Sequence, residues 1–416
     1  MAAALTFLAT CDLVGLVRGR AVTNPLDASS NVGWVPADLA LSSFGGIWEE
    51  NPFGSFGDLR LSPVAGANYV LPSGAREMTL VLSQQVLPDG TIWHCDPRAF
   101  AMSALADLKS EFDLELVASF EHEFLLEGLT YNGSPFGLDA LRAAEPFGSE
   151  LVELLRQNGM DPENWLAEYG KAQFEITLGA TDALTAADRA IVLREFVRDL
   201  ARKNGLRASF TPIADPASVG NGVHVHLSLS RNGSPITYDP SMPGNLSEIA
   251  SKAFNGILKH AASLLAFTAP SQISFLRLQP HRWSSGGAFI AVQDREALLR
   301  ICPLNTVSHT PVEKTFNVEF RAADATSNPW IVIGILARAL ISGLRDDCTI
   351  EKIGASESPL PRTLGEAIIS LRKNPEVMSW FPKDLLETHL GIRTVEESAL
   401  ENLSDVEKCE RYLHVY

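Results

Sequence analysis

Between Leu5 and Trp93 the apolar residues come in short runs, Leu5 to Val17, Leu59 to Leu61 and Met78 to Leu82, separated by Gly, Pro, Asn and Ser. That pattern predicts a small sheet-rich domain with long loops. At Asp96-Pro97 a capping acid and a first-turn proline start a helix expected to run to about Lys109. The boundary is placed there, giving residues 1–95 and 96–416 as two domains. Beyond it strands and helices alternate. Expected strands are Leu116 to Leu126, Ala172 to Leu178, Gly222 to Leu229, Ala288 to Gln293 and Phe316 to Arg321. Expected helices are Thr185 to Lys203, closed by Gly205, Leu246 to Phe267, and a third starting at Asn328-Pro329 and running towards Leu344. Asn232-Gly233 and Asn132-Gly133 are hairpin signals. From about Leu360 the chain reads as polar helices serving packing and assembly.

Side chains alternate between the two faces of a strand, so each face can be read separately. Glu121 and Glu123 share a face, as do His224, His226 and Ser228, then Gln173 and Glu175, then Asn317, Glu319 and Arg321. Any one of these strands alone is an ordinary half-exposed sheet strand. Together their polar faces hold closely spaced Glu and His instead of the Lys, Thr and Glu mixture of a solvated surface. The combination points to a shared lumen.

Charge narrows the partners. Fifty acidic residues against 34 basic ones give a net charge of -16, which opposes binding to nucleic acid and to anionic membranes. The 5 cysteines are scattered and form no CxxC pair, which argues against a disulfide framework or a thiolate zinc site and fits a cytoplasmic protein. Leu8-Ala9-Thr10-Cys11 loosely resembles a lipoprotein cleavage box. It lacks a basic flank and is followed at once by Asp12, so Ala2 to Ala9 is read as a buried strand. The apolar run from Trp330 to Ala337 is cut by Arg338, short of the roughly 20 residues that a membrane span needs.

Carboxylates crowded into one lumen repel each other, and divalent cations relieve that repulsion. Mostly oxygen ligands with one or two imidazoles suit Mg²⁺ or Mn²⁺ better than structural zinc. Such ions usually bind phosphates too, yet the chain has no GxxxxGK[ST] loop and no GxGxxG between a strand and a helix. Arg277, Arg295, Arg300, Lys314 and Arg321 cluster near the acidic strands in sequence. Surface ion pairing is the usual fate of such residues; Arg321 is the exception, because it shares the face of Glu319.

In order along the chain, six segments resemble the glutamine synthetase superfamily over nearly its whole length. They are Glu121-His122-Glu123-Phe124, Glu168 to Glu175, Gly220 to Ser228, Arg277-Leu278, Asp294 to Arg300, and Val318 to Arg321 leading to Asn328-Pro329. The resemblance implies an α+β protein. It would pair an N-terminal β-grasp domain with a C-terminal distorted barrel of inward-facing carboxylates, assembled as a homo-oligomer of stacked rings, a dodecamer. It implies a ligase that uses ATP to phosphorylate the γ-carboxylate of L-glutamate before an amine attacks, with two or three Mg²⁺ or Mn²⁺ ions per site. By position, Glu123, Glu168 and Glu175 would hold one ion, and Glu121, His224 and Glu319 another. Arg277, Arg295 and Arg321 match glutamate and acyl-phosphate contacts, and Gly220 and His224 also stand at substrate positions. Glu163, His226 and Ser228 match nucleotide contacts, while Lys314 and Arg300 match positions near the phosphates.

The sequence departs from the ammonia-using members in several places. Trp283 stands where a flap glutamate follows the Arg-Leu motif, and no DGSS-like loop occurs around Val35 to Phe44. Trp283 either stacks on an amine larger than ammonia or packs the flap hinge. Asn317 replaces a phosphate-contacting arginine, and Val219 replaces an asparagine at the substrate's α-amino end. The favoured expectation is a γ-glutamyl amide synthetase using an amine acceptor such as an alkylamine, ethanolamine, polyamine or arylamine. Ordinary glutamine synthesis and a catalytically silent structural or regulatory protein are the alternatives.

Overall fold

The computed structural model describes residues 5–24, 26–27, 30–73, 76–131, 133–307, 309–354 and 358–416. Strands β1 (Leu5–Cys11), β2 (Val17–Val22), β3 (Val32–Trp34), β4 (Leu59–Ser73) and β5 (Arg76–Val86) form one mixed sheet in the order β2-β1-β5-β4-β3. Only β1 and β5 run parallel; the other pairs are antiparallel. The apolar N-terminal run is β1 from Leu5 onward, with Leu8, Ala9 and Cys11 buried. Residues 2–4, and Asn132 of the second hairpin signal, lie outside the described residues.

The helix Pro97–Phe112 starts where the Asp-Pro pair places it, with the Asp96 carboxylate accepting from the Arg98 amide at 3.3 Å. It continues past Lys109 and ends at Asp113 in the left-handed region (φ 54°). The chain then builds a larger sheet: β6 (Glu115–Glu127), β7 (Pro162–Ala167), β8 (Gln173–Leu178), β9 (Thr181–Asp182), β10 (Arg207–Ser209), β11 (Val223–Arg231), β12 (Ser234–Pro235), β13 (Gly287–Val292), β14 (Ala297–Ile301) and β15 (Val318–Phe320). Its main path is β13-β14-β15-β11-β6-β8-β7. β7 escaped the sequence reading, and the strand expected over Phe316 to Arg321 is shorter, Val318–Phe320. Asn232 (φ 50°) and Gly233 (φ 75°) do turn β11 into β12, both in the left-handed conformation that a tight hairpin requires.

Residues directly opposite in an antiparallel pair lie on the same face. Phe120 faces Val225, Phe124 faces Phe174, and Leu299 faces Phe320, and all six are buried. The helix Ala183–Lys203 packs on β6, and Glu248–Thr268 packs on Pro329–Asp346. The last of these is an almost wholly buried helix that begins at Asn328. The Asn328 side chain accepts from the amides of Trp330 (2.8 Å) and Ile331 (3.3 Å) and donates to the carbonyls of Cys11 (2.9 Å) and Asp12 (3.0 Å). One cap thus serves the helix and ties it to β1. Trp330 to Ala337 is core of this helix, and no helix among the described residues is long and apolar enough to cross a membrane.

Candidate active site

The opposite face of the large sheet carries the acidic set, and strand register brings it together. His224 pairs with Glu121, Glu175 with Glu123, and Glu319 with both His226 and Arg300. His224 Nδ1 lies 2.8 Å from Glu121 Oε1 and 3.4 Å from Glu319 Oε1, while His226 Nε2 lies 3.5 Å from Glu121 Oε2. Two trios have donor atoms close enough to share an ion: Glu121, Glu123 and His224, and Glu121, His226 and Glu319. Glu168, just beyond β7, and Glu175 line the same cavity of about 660 Å³.

The electrostatics fit a site built for cations. Burial, and then repulsion from Glu121, Glu123 and Glu168, pushes the Glu175 carboxyl up to about 10. Glu168 is also raised, by burial and then by Glu123. Burial would raise Glu121 as well, but the hydrogen bonds and charges of His224 and His226 hold it well below the usual carboxylate range. Without a counter-cation the lumen has more buried carboxyl groups than it can ionise. Buried oxygen donors with two imidazoles match hard divalent ions such as Mg²⁺ or Mn²⁺.

Asn317, a departure in sequence, has a place here. Its Oδ1 lies 2.9 Å from His226 Nδ1, and its Nδ2 donates to the Thr315 carbonyl at 2.9 Å, which fixes the amide's orientation. An amide oxygen can only accept, so Nδ1 carries a proton and the ring turns its Nε2 towards Glu121.

The Gly-Asn-Gly turn is needed because Arg277 lies across it. A Cβ on Gly220 would sit 2.4 Å from Arg277 Cγ, and one on Gly222 would sit 2.6 Å from His224 Nε2. The Gly222 amide donates to Glu123 Oε2 at 2.8 Å, and Gln173 Nε2 donates to the Gly220 carbonyl and to Asn221 Oδ1, each at 2.9 Å. Arg277 is buried, donates through Nη2 to the Ala323 carbonyl at 2.8 Å, and leaves Nε without a partner among the described residues. Arg300 donates to Glu319 Oε2 at 2.7 Å, and its Nε is likewise free.

Arg321 is committed to the protein. It pairs with Glu319, and it donates to the carbonyls of Arg295 (3.1 Å), Ser284 (3.3 Å) and Trp283 (2.8 Å). This anchors the segment Gln279 to Gly286 over the cavity. Glu296 completes the anchor, accepting from the His281 amide at 2.9 Å and the Trp283 amide at 2.8 Å. Both of those residues have positive φ, 66° and 54°. Arg282 donates to the carbonyls of Ser218 and Pro216, each at 2.9 Å, and so joins the segment to the opposite rim. The Trp283 indole is left exposed at the mouth. Glu296 was not singled out as a site residue from sequence; its only signal was its place inside the Asp294 to Arg300 motif.

The structure therefore gathers Glu121, Glu123, Glu168, Glu175, His224 and Glu319 into one lumen, with Gly220, Arg277, Arg295, Arg321 and Trp283 also lining the cavity. His226 joins the ion-sharing groups, and Ser228 follows it on the same strand face but does not line the cavity. Glu163, exposed on β7, and Lys314, exposed on the short helix Val312–Thr315, are not brought to it.

Residues 94–412 match the family model "Glutamine synthetase, catalytic domain". Over its full length the chain is similar to a crystal structure described as a novel glutamine synthase homolog, with 37% identity, a TM-score of 0.94, and coverage of 100% of this chain and 99% of that one. Type-1 glutamine synthetase 1 of Dictyostelium discoideum is 28% identical over 78% of this chain and 69% of its own length. The gamma-glutamylpolyamine synthetase GlnA3 of Streptomyces coelicolor is 30% identical over 62% of this chain, and that match spans 58% of the relative.

Proposed function

The chain belongs to the glutamine synthetase family of ATP-dependent glutamate–amine or glutamate–ammonia ligases, and from that premise we propose that its acceptor is an amine other than ammonia. The observation that carries this reading is Trp283. Its indole stands exposed in the cavity mouth instead of packing the hinge, on a segment held by Glu296 and Arg321. An aromatic face there suits the body of a larger amine.

Glu121, Glu123, Glu168, Glu175, His224, His226 and Glu319 would hold the divalent ions. Bound ions supply charge neutralisation for ATP and for the carboxylate being phosphorylated. Arg277, which lines the cavity, binds and orients a substrate carboxylate. Arg295 sits at the rim, where it can meet the acyl phosphate. The glutamate γ-carboxylate attacks the γ-phosphorus of ATP, and ADP leaves. The amine lone pair then forms the C–N bond as the C–O bond to phosphate breaks; phosphate departs with the electron pair and the nitrogen sheds a proton. The Gln279 to Gly286 segment shields the acyl phosphate from water, which would otherwise hydrolyse it. Assembly into a homo-oligomer is part of the same reading, and light scattering after gel filtration tests it.

The deciding assay is ATP-dependent phosphate release with L-glutamate fixed and ammonium compared with a panel of amines. Preference for one or more amines is expected. Ammonium saturating at low millimolar levels with no amine preferred would overturn the proposal in favour of glutamine synthesis.

A further inference from the structure

Away from the lumen, packing draws one further group of donor atoms together. His94 and Cys95 occupy the corner of a turn that the Asp96 amide closes on the Trp93 carbonyl (3.0 Å), just before the helix Pro97–Phe112. Trp93 is fixed in its own right. Its amide donates to the Gln85 carbonyl (3.0 Å), and its ring stands edge-on to Phe53 (5.2 Å) and to His94 (6.0 Å). Asp384 comes from 290 residues further along the chain than His94, in the first turn of the helix Lys383–Leu400. Its Oδ2 lies 3.3 Å from His94 Nε2, and one donor atom from each of His94, Cys95 and Asp384 lies within 4.8 Å of the other two. No CxxC spacing announces this group, because only the packing of helix on turn unites its members.

Its chemistry suits a cation. Cys95 is buried, and the Leu385 amide, one of the orphan donors at the helix start, points at its sulfur. A donor at a helix N-terminus favours the thiolate form that a metal takes. In the unliganded protein burial, and then the charge of Asp384, push the thiol up to about 12, so it stays protonated. A divalent ion reverses that balance. One thiolate and one carboxylate offset its two charges, and a neutral imidazole adds a third donor. The adjacent cation, Lys383, pairs with Glu387 (3.6 Å). Ligand atoms around a tetrahedral zinc stand about 3.3–3.6 Å apart, so small side-chain rotations close the site, with water in the fourth position.

We propose that His94, Cys95 and Asp384 form a second metal site, for Zn²⁺ or a similar borderline cation, which pins the turn before the helix Pro97–Phe112 to the helix Lys383–Leu400. Sulfur and nitrogen donors set its preference apart from the oxygen-rich lumen, where Mg²⁺ or Mn²⁺ fits. On binding, the thiol proton leaves to solvent and the sulfur, one ring nitrogen and one carboxylate oxygen each give an electron pair to the ion. Nothing is oxidised or reduced. Every donor belongs to one chain, so the site is complete without a neighbouring copy and needs no open surface in an assembly.

The test uses the full chain, stripped by a chelator and returned to excess Mg²⁺ to occupy the lumen, and titrates it with Co²⁺ as an optical stand-in for Zn²⁺. Sulfur-to-cobalt charge-transfer absorption, which oxygen and nitrogen ligands alone do not give, is expected to appear and to be erased by Zn²⁺. Cys95→Ser should abolish it. Cys302→Ser should leave it intact, which separates Cys95 from the thiol 3.7 Å from His226 in the lumen. Zn²⁺ itself, measured by competition with a chelating dye, should bind with a dissociation constant below about 10 μM. Asp384→Asn and His94→Gln keep the shape and polarity of the native side chains. Each should weaken Zn²⁺ at least about tenfold, since losing even a supporting group around a metal commonly costs about 10–100-fold. Absence of the thiolate absorption, or its persistence in Cys95→Ser, would overturn the proposal. So would a weaker wild-type constant, or one that neither Asp384→Asn nor His94→Gln changes, the behaviour of an adventitious ion only.

Discussion

Replacing Glu296 by glutamine removes one of the two carboxylate oxygens that hold the turn at His281 and Trp283. In the native protein those amides donate at 2.9 and 2.8 Å to the two oxygens. Glutamine can satisfy one of them, while its own NH₂ group faces the other as a second donor. A hydrogen bond to a charged acceptor contributes about 1.5–3 kcal/mol, and the half-exposed position of Glu296 reduces this to about 1–2 kcal/mol. The turn also holds two non-glycine residues at positive φ, so a freed segment has local reason to relax. Opening should become easier by that amount, and hydrogen exchange at the His281 and Trp283 amides should speed up by about 5–30-fold. Exchange in the distant helix Pro329–Asp346 should stay unchanged. In kinetics, KM for the amine should rise while KM for glutamate moves little, because Arg277 is held separately through Ala323. Native exchange rates at both amides in the variant would refute the assignment of Glu296 as the flap's anchor.

Other consequences follow from the same geometry. Gly220→Ala places a methyl 2.4 Å from Arg277 Cγ and 2.6 Å from the Pro212 carbonyl, so glutamate-dependent turnover should fall at least about 100-fold while far-ultraviolet circular dichroism stays native. Mg²⁺ should raise thermal stability, by about 2.7 kcal/mol at 100 times its dissociation constant. Glu175→Gln should lose most of that gain yet leave the metal-free protein within about 1 kcal/mol of native stability, since burial and neighbouring carboxylates hold Glu175 protonated up to about 10. Acid should destabilise the fold through two buried histidines. Burial and then Arg194 lower His122 to about 3, and burial and then Arg393 lower His389 to about 3. The unfolded chain therefore binds more protons between pH 6.5 and 3, and stability is full above that window and falls within it by up to about 1.4 kcal/mol per pH unit for each histidine. Denaturant titrations of wild type and His389→Gln across pH 7 to 5 check this, the variant showing the shallower decline.

Much of the site was legible because strands impose a period of two. Glu121 with Glu123, His224 with His226, and Glu319 with Arg321 had to share faces whatever the partners of their strands. Helix starts were equally local: Asp96-Pro97 and Asn328-Pro329 each carry their own cap, and both helices begin there. Contacts set by loops were less accessible. Glu163 and Lys314, read as nucleotide and phosphate contacts, are exposed and do not line the cavity, and Arg321, read as a substrate contact, spends its guanidinium on Glu319, two flap carbonyls and the Arg295 carbonyl. Asn317 looked like the loss of a phosphate ligand, whereas its amide orients His226.

The amino-acid order alone thus determined which side chains lie on a common strand face, where the main helices start, and that acid and imidazole groups outnumber what a solvated surface would use. It did so because those properties depend on neighbours two to four residues away. Only the tertiary structure decided that Glu121 meets His224, that Glu123 faces Glu175, and that Glu296 rather than a flap residue holds Trp283 in place. Those facts depend on register between strands far apart in sequence and on backbone turns that left-handed residues make, and neither is encoded in any local period.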